Sequence, residues 1–60
     1  MFTKHKIYYT IERQLEDFSY IFVCSFSTFD EANTHVKLLK EQTGNIYRIL
    51  KIEKDIEEVS

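Results

Sequence analysis

Apolar and polar side chains alternate from Ile7 to Leu15, with Ile7, Tyr9, Ile11 and Leu15 set against Tyr8, Thr10, Glu12 and Glu16. A period of two over this length is the mark of a half-buried strand. Arg13 is the odd position that breaks the apolar side. Glu16 and Asp17 follow as a polar connection, without the Asn-Gly or Asp-Gly pair of a two-residue hairpin, so a slightly longer turn is expected. A second strand, Ser19 to Phe26, is apolar on both sides. Tyr20, Phe22, Cys24 and Phe26 alternate with Ile21 and Val23, and one helix can cover only one set. The bulkier set is expected inward, with Phe22 and Cys24 towards the helix and Ile21 and Val23 on the open face.

The period then changes. Phe29, Ala32, Val36 and Leu39 recur at helical spacing, with Thr43 beside them, and form a stripe along Thr28–Gly44. Thr28 and Glu31 have the spacing of a capping box, and Gly44 stands where a left-handed closing residue is needed. Asp30 and Glu31 complement the positive end of the helix dipole; Lys37 and Lys40 lie towards the negative end. A third strand follows from about Ile46 to Glu53. Tyr47 and Ile49 share one face and Ile46, Arg48, Leu50 and Ile52 the other, so a bulge here is open. Residues 54–60 read as an acidic tail that frays, although Ile56 and Val59 offer some anchorage. The order is strand, strand, helix, strand. It predicts an α+β domain with a three-stranded, mainly antiparallel sheet of order 2-1-3 and one helix packed on one face.

Size sharpens this reading. A single domain of 60 residues buries only about 60% of its unfolded surface and usually needs help from a disulfide, a metal or a partner. Cys24 is the only cysteine, so no internal disulfide forms, and His5 and His35 with it give no zinc spacing. Neither a metal nor a cofactor is expected, and association is. The longest apolar run, Tyr20 to Cys24, is far too short for a membrane span, and the start of the chain has no apolar signal region. With a free thiol, this points to the cytoplasm.

The candidate chemistry is thin. Ser25, His35 and Asp30 can be assembled into a catalytic set, but no spacing ties nucleophile to base, and no glycine loop cradles a phosphate. Cys24 lies in an apolar strand, where a thiol behaves as a small hydrophobe. The protein is therefore read as a non-enzyme. Leu38 falls outside the helix stripe near Glu31 and His35 and is a candidate contact. Tyr8 and Tyr47 are the candidate solvent-side aromatics, accompanied by Glu12 and Glu53.

The stretches YYTIE, YIFVCSF and STFDEANTHVKLLKEQTGNIYRILKIE resemble the small acidic early proteins of tailed phages, a likeness that covers Lys6 to Glu53. Within that group they are similar to T-even phage antitoxins that block host RNase toxins. The resemblance implies a protein-binding inhibitor that occupies the substrate groove of a host enzyme, most readily an RNase toxin, in the host cytoplasm. The acidic end, Glu53, Asp55, Glu57 and Glu58, suits a basic groove electrostatically. The partner-binding set is then Tyr8, Glu12, Ile21, Val23, Glu31, Leu38, Tyr47, Glu53 and Asp55. With a net charge of −2, nucleic acid ranks below protein as a partner. The alternatives are a single-strand-binding module using Tyr8, Tyr47, Lys4, Lys6, Arg48 and Lys51, and a homodimer or larger structural homo-oligomer.

Overall fold

A computed structural model describes residues 2–58, and of Phe2 and Glu58 the backbone alone. Strand β1 runs Phe2–Gln14, β2 Tyr20–Phe26 and β3 Tyr47–Glu58, with helix α1, Phe29–Thr43, between β2 and β3. The sheet order is β2-β1-β3, both pairings are antiparallel, and α1 touches all three strands. The fold is α+β, as the periodicities require.

Local chemistry sets the ends of α1. The Thr28 hydroxyl oxygen accepts from the Glu31 amide at 3.3 Å and its proton goes to the Glu31 carboxylate at 3.0 Å. Gly44 closes the helix at φ 72°, with its amide donating to the Lys40 carbonyl. That left-handed conformation costs a side-chain-bearing residue about 1 kcal/mol or more. At the turn from β1 to β2, Phe18 holds a similar angle, φ 68°, without being glycine.

The core is small. Ile11 and Ala32 are fully buried, Val36 and Tyr47 nearly so, and Tyr9, Cys24, Phe26, Leu39 and Ile49 pack around them. Ile11 is the hub, because it stands opposite Cys24 on β2 and Ile49 on β3. Arg13, two residues on and also on the helix side, has its Nε buried without a hydrogen-bond partner.

Several expectations need correction. The register between β1 and β2 slips between Ile11 and Glu12: Ile11 pairs with Cys24 but Glu12 with Phe22, leaving Val23 as the extra residue. The bulge thus lies in β2, whereas β3 keeps an unbroken register with β1. A bulge inverts the alternation beyond it. Cys24 and Phe26 face α1 as expected, but Phe22 shares the open face with Glu12 and is 63% exposed. Ile21 pairs with Arg13 on the helix side instead of lying on the open face. Tyr47 is no solvent-side tyrosine either: it is buried, and its hydroxyl lies 2.9 Å from the Thr43 hydroxyl at the end of α1.

The third strand also outruns its expected end. Residues 54–58, read as frayed tail, continue β3 and pair with the start of β1, from Lys6↔Lys54 to Phe2↔Glu58. Ile56 lies within this pairing, while Val59 and Ser60 fall outside the described residues. Since β2 reaches only Tyr9 of β1, residues 2–8 and 52–58 form a two-stranded ribbon projecting past the helix. The molecule is accordingly long and thin, 46 × 26 × 15 Å.

Candidate functional site

The ribbon segregates charge by strand parity. Odd positions face the helix side, where the His5 ring nitrogen Nδ1 meets Asp55 at 2.9 Å and Nε2 approaches Glu53 at 3.9 Å. Lys51 pairs with Glu53 on the same side at 2.9 Å; the pairing draws the Lys51 ammonium above its usual pKa and holds the Glu53 carboxyl below its own. Even positions face the other way and carry Lys4, Lys6, Tyr8, Ile52, Lys54 and Ile56. The ammonium groups of Lys6 and Lys54 each stand 5.6 Å from the Tyr8 ring centroid, close enough for a cation–π attraction.

This basic-aromatic group adjoins a hollow of ≈ 550 Å³ where β2 ends and β1 continues with β3 as its one sheet neighbour. Lys6, Lys54, Tyr8 and the exposed Phe22 line it, with the hydroxyls of Thr10 and Ser25 between them. Further along the same face, Arg48 pairs with Glu12 at 2.6 Å and lies over the Tyr20 ring. Glu12 is the one carboxylate described on this face, and Arg48 neutralises it. An overall acidic chain therefore presents one locally cationic, aromatic surface.

The partner-binding set does not come together. Tyr8 and Glu12 lie on the open face, and Glu53 and Asp55 on the opposite side of the ribbon. Ile21 and Val23 sit on the β2 edge, 42% and 38% exposed. Glu31 and Leu38 line a separate shallow hollow on α1 with His35, whose ring packs at 5.2 Å on Phe26. Tyr47 is buried. Of the single-strand-binding set, Tyr8, Lys4, Lys6 and Arg48 share the open face, whereas Tyr47 and Lys51 do not. Lys54, Tyr20 and Phe22 belong to that face and were missed. Lys54 falls in a stretch that reads as a tail, and Phe22 reads as inward because the bulge carries no glycine or other local mark.

The catalytic trio is dispersed as well. Ser25 lines the first hollow, and Asp30 and His35 the second. Burial pushes the Cys24 thiol above its usual pKa, away from nucleophilic use. Among the described residues no three His, Cys, Asp or Glu side chains are grouped to hold a metal, and no helix is long and apolar enough to cross a membrane. Comparison with protein-family models, curated proteins and solved structures returned no match.

Proposed function

We propose that the protein is a non-catalytic binding domain that takes a short stretch of single-stranded nucleic acid on its open sheet face. Supporting this reading is the grouping of Lys6 and Lys54 around Tyr8, beside the exposed ring of Phe22, with the ribbon carboxylates Glu53 and Asp55 turned to the other side. A base stacks on Phe22 or Tyr8, and adjacent phosphates meet the two ammonium groups. Stacking contributes about 1–3 kcal/mol per base and tolerates any sequence. Hydroxyls at Thr10 and Ser25 supply the remaining polar partners. The sequence alone ranks a protein partner first; the gathering of these side chains favours the other order.

The test is fluorescence anisotropy with labelled single-stranded DNA and RNA at low salt. Binding should weaken with added salt, with a log–log slope of roughly −1.4 to −2.1 for two or three phosphates neutralised. The Lys6→Glu, Lys54→Glu pair should abolish it, and Phe22→Ala should weaken it. A flat titration overturns the proposal.

A second reading keeps the inhibitor role. Its supporting observation is the row Glu53 and Asp55 on the helix side of the ribbon, an acidic strip that would suit a basic nuclease groove. Direct inhibition of an RNase toxin's RNA cleavage, lost on charge reversal at Glu53 and Asp55, is its test. Intact cleavage at stoichiometric excess removes it. Either role would be exercised in the cytoplasm, the host's if the protein is phage-encoded.

A further inference from the structure

We propose that the outer edge of β3 pairs antiparallel with the same edge of a second copy about a twofold axis at Ile52, giving a six-stranded sheet. The inference does not rest on the nucleic-acid reading. β3 is twelve residues long, ends the sheet and keeps an unbroken register with β1. It has no proline and no bulge to blunt that edge; its protection is charge alone, through Arg48, Lys51, Glu53, Lys54 and Asp55, and charge of both signs admits a register in which opposite signs meet. Among the described residues the buried apolar side chains are Ile11, Ala32, Val36 and Tyr47, a small core that gives the chain a reason to associate.

Charge selects the register. For the faces of both copies to match, the axis must pass through a residue, and each residue then opposes its mirror position. Centred on Lys51, the pairing sets Lys51 against itself and Arg48 against Lys54. Centring on Glu53 pairs Lys51 with Asp55 but sets Glu53 against itself on the axis, and centring on Lys54 opposes Glu53 to Asp55 as well as Lys54 to itself. A Leu50 centre shortens the overlap and makes no ion pair. With Ile52 at the centre no like charges meet. Lys51 of each copy then faces the second copy's Glu53, and Ile52 faces Ile52. Like charges directly opposite destabilise a sheet and opposite charges stabilise it. The same axis puts both open faces on one side, so the two Lys6–Tyr8–Lys54 groups share one surface.

Sedimentation velocity on the full chain should show a concentration-dependent dimer. Lys51→Glu or Glu53→Lys alone replaces two attractive pairs by two repulsive ones and should weaken the dimer about tenfold, whereas the double exchange Lys51→Glu, Glu53→Lys should restore it. Melting curves by circular dichroism confirm that each variant is folded. The register is read separately by cross-linking in a Cys24→Ala background. Directly opposed strand residues have Cα atoms about 4.5–5.5 Å apart, within disulfide range. Ile52→Cys should therefore link two copies on mild oxidation, and Leu50→Cys, which faces Lys54, should not. A monomer at all concentrations overturns the proposal, as does a dimer indifferent to the single reversals or one cross-linked equally at both positions.

Discussion

The guanidinium of Arg48 lies 3.7 Å from the ring centroid of Tyr20 while bonding Glu12 through Nη2 at 2.6 Å and Nε at 2.8 Å. Arg48 belongs to β3, Glu12 to β1 and Tyr20 to β2, so one side chain ties all three strands on the face the helix leaves open. Both nitrogens meet the same carboxylate oxygen, and the flat face of the guanidinium remains free to stack. Arg48→Ala should cost about 1–2 kcal/mol, the sum of a partly exposed ion pair and a cation–π contact. Lysine keeps the charge but not the plane. Urea melts should therefore place Arg48→Lys between wild type and alanine, and equality with wild type would mean the stack contributes nothing.

Ile11 and Phe22 test the facing of the sheet. Ile11 is fully buried at the hub of the core, and its truncation to alanine should cost about 2–5 kcal/mol, enough to unfold much of so small a domain. Phe22 is larger yet 63% exposed. Phe22→Ala should change stability by less than about 1 kcal/mol. Thermal melts reversing this order would mean that the bulge at Val23 is misplaced.

That contrast marks where sequence is readable. Thr28, Glu31 and Gly44 fix α1 through contacts only a few residues apart, so their signals are local and legible. The facing of β2 depends on a one-residue slip against β1 that leaves no glycine behind. The extension of β3 was equally invisible, because Lys54-Asp55-Ile56 looks like a solvated tail until His5 and Tyr8 stand opposite. Tyr47 looks solvent-facing until Thr43 meets its hydroxyl. As for the site, Lys4, Lys6, Tyr8 and Arg48 were legible by type, but their assembly with Lys54 and Phe22 needed the register.

Cys24 gives a pH-dependent prediction. Its thiol is raised by burial, so the folded chain favours the protonated form more than the unfolded chain does. The resulting stability is complete below the unfolded thiol pKa of about 8.5 and falls away as pH rises through the folded value. Melting temperature should therefore drop on the alkaline side more in wild type than in Cys24→Ala. Alkylation by iodoacetamide at mildly alkaline pH should be slower in the native protein than in urea. Equal rates would place the thiol in water.

Arg13 tests the cost of an orphaned donor. Its Nε is buried on the helix side without a partner, opposite Tyr47 and Ile21. Leaving such a donor unsatisfied costs about 1–3 kcal/mol, whereas an apolar side chain of similar reach carries no such penalty. Arg13→Met should keep or raise the urea midpoint. A clear fall would show that the guanidinium end of Arg13 contributes more than its Nε costs.

Phe18 is the remaining local conflict. The Leu15 amide donates to the Ser19 carbonyl at 2.8 Å and the Phe18 amide to Leu15 at 3.0 Å, closing a three-residue loop of Glu16, Asp17 and Phe18. The Ser19 hydroxyl donates to the Asp17 carboxylate at 2.6 Å, which holds that carboxyl below its usual pKa and stiffens the turn. Loops of this length commonly end on a left-handed residue, and glycine is the usual choice. Here a phenylalanine takes φ 68° with its side chain 78% exposed, so little packing offsets the strain. Phe18→Gly should stabilise the domain by about 0.5–1 kcal/mol, the relief of strain less the extra freedom of glycine in the unfolded chain. Phe18→Ala keeps the strain and removes the ring, so it should show no such gain. If alanine stabilises as much as glycine in thermal melts, the exposed ring and not the backbone is the source of the cost.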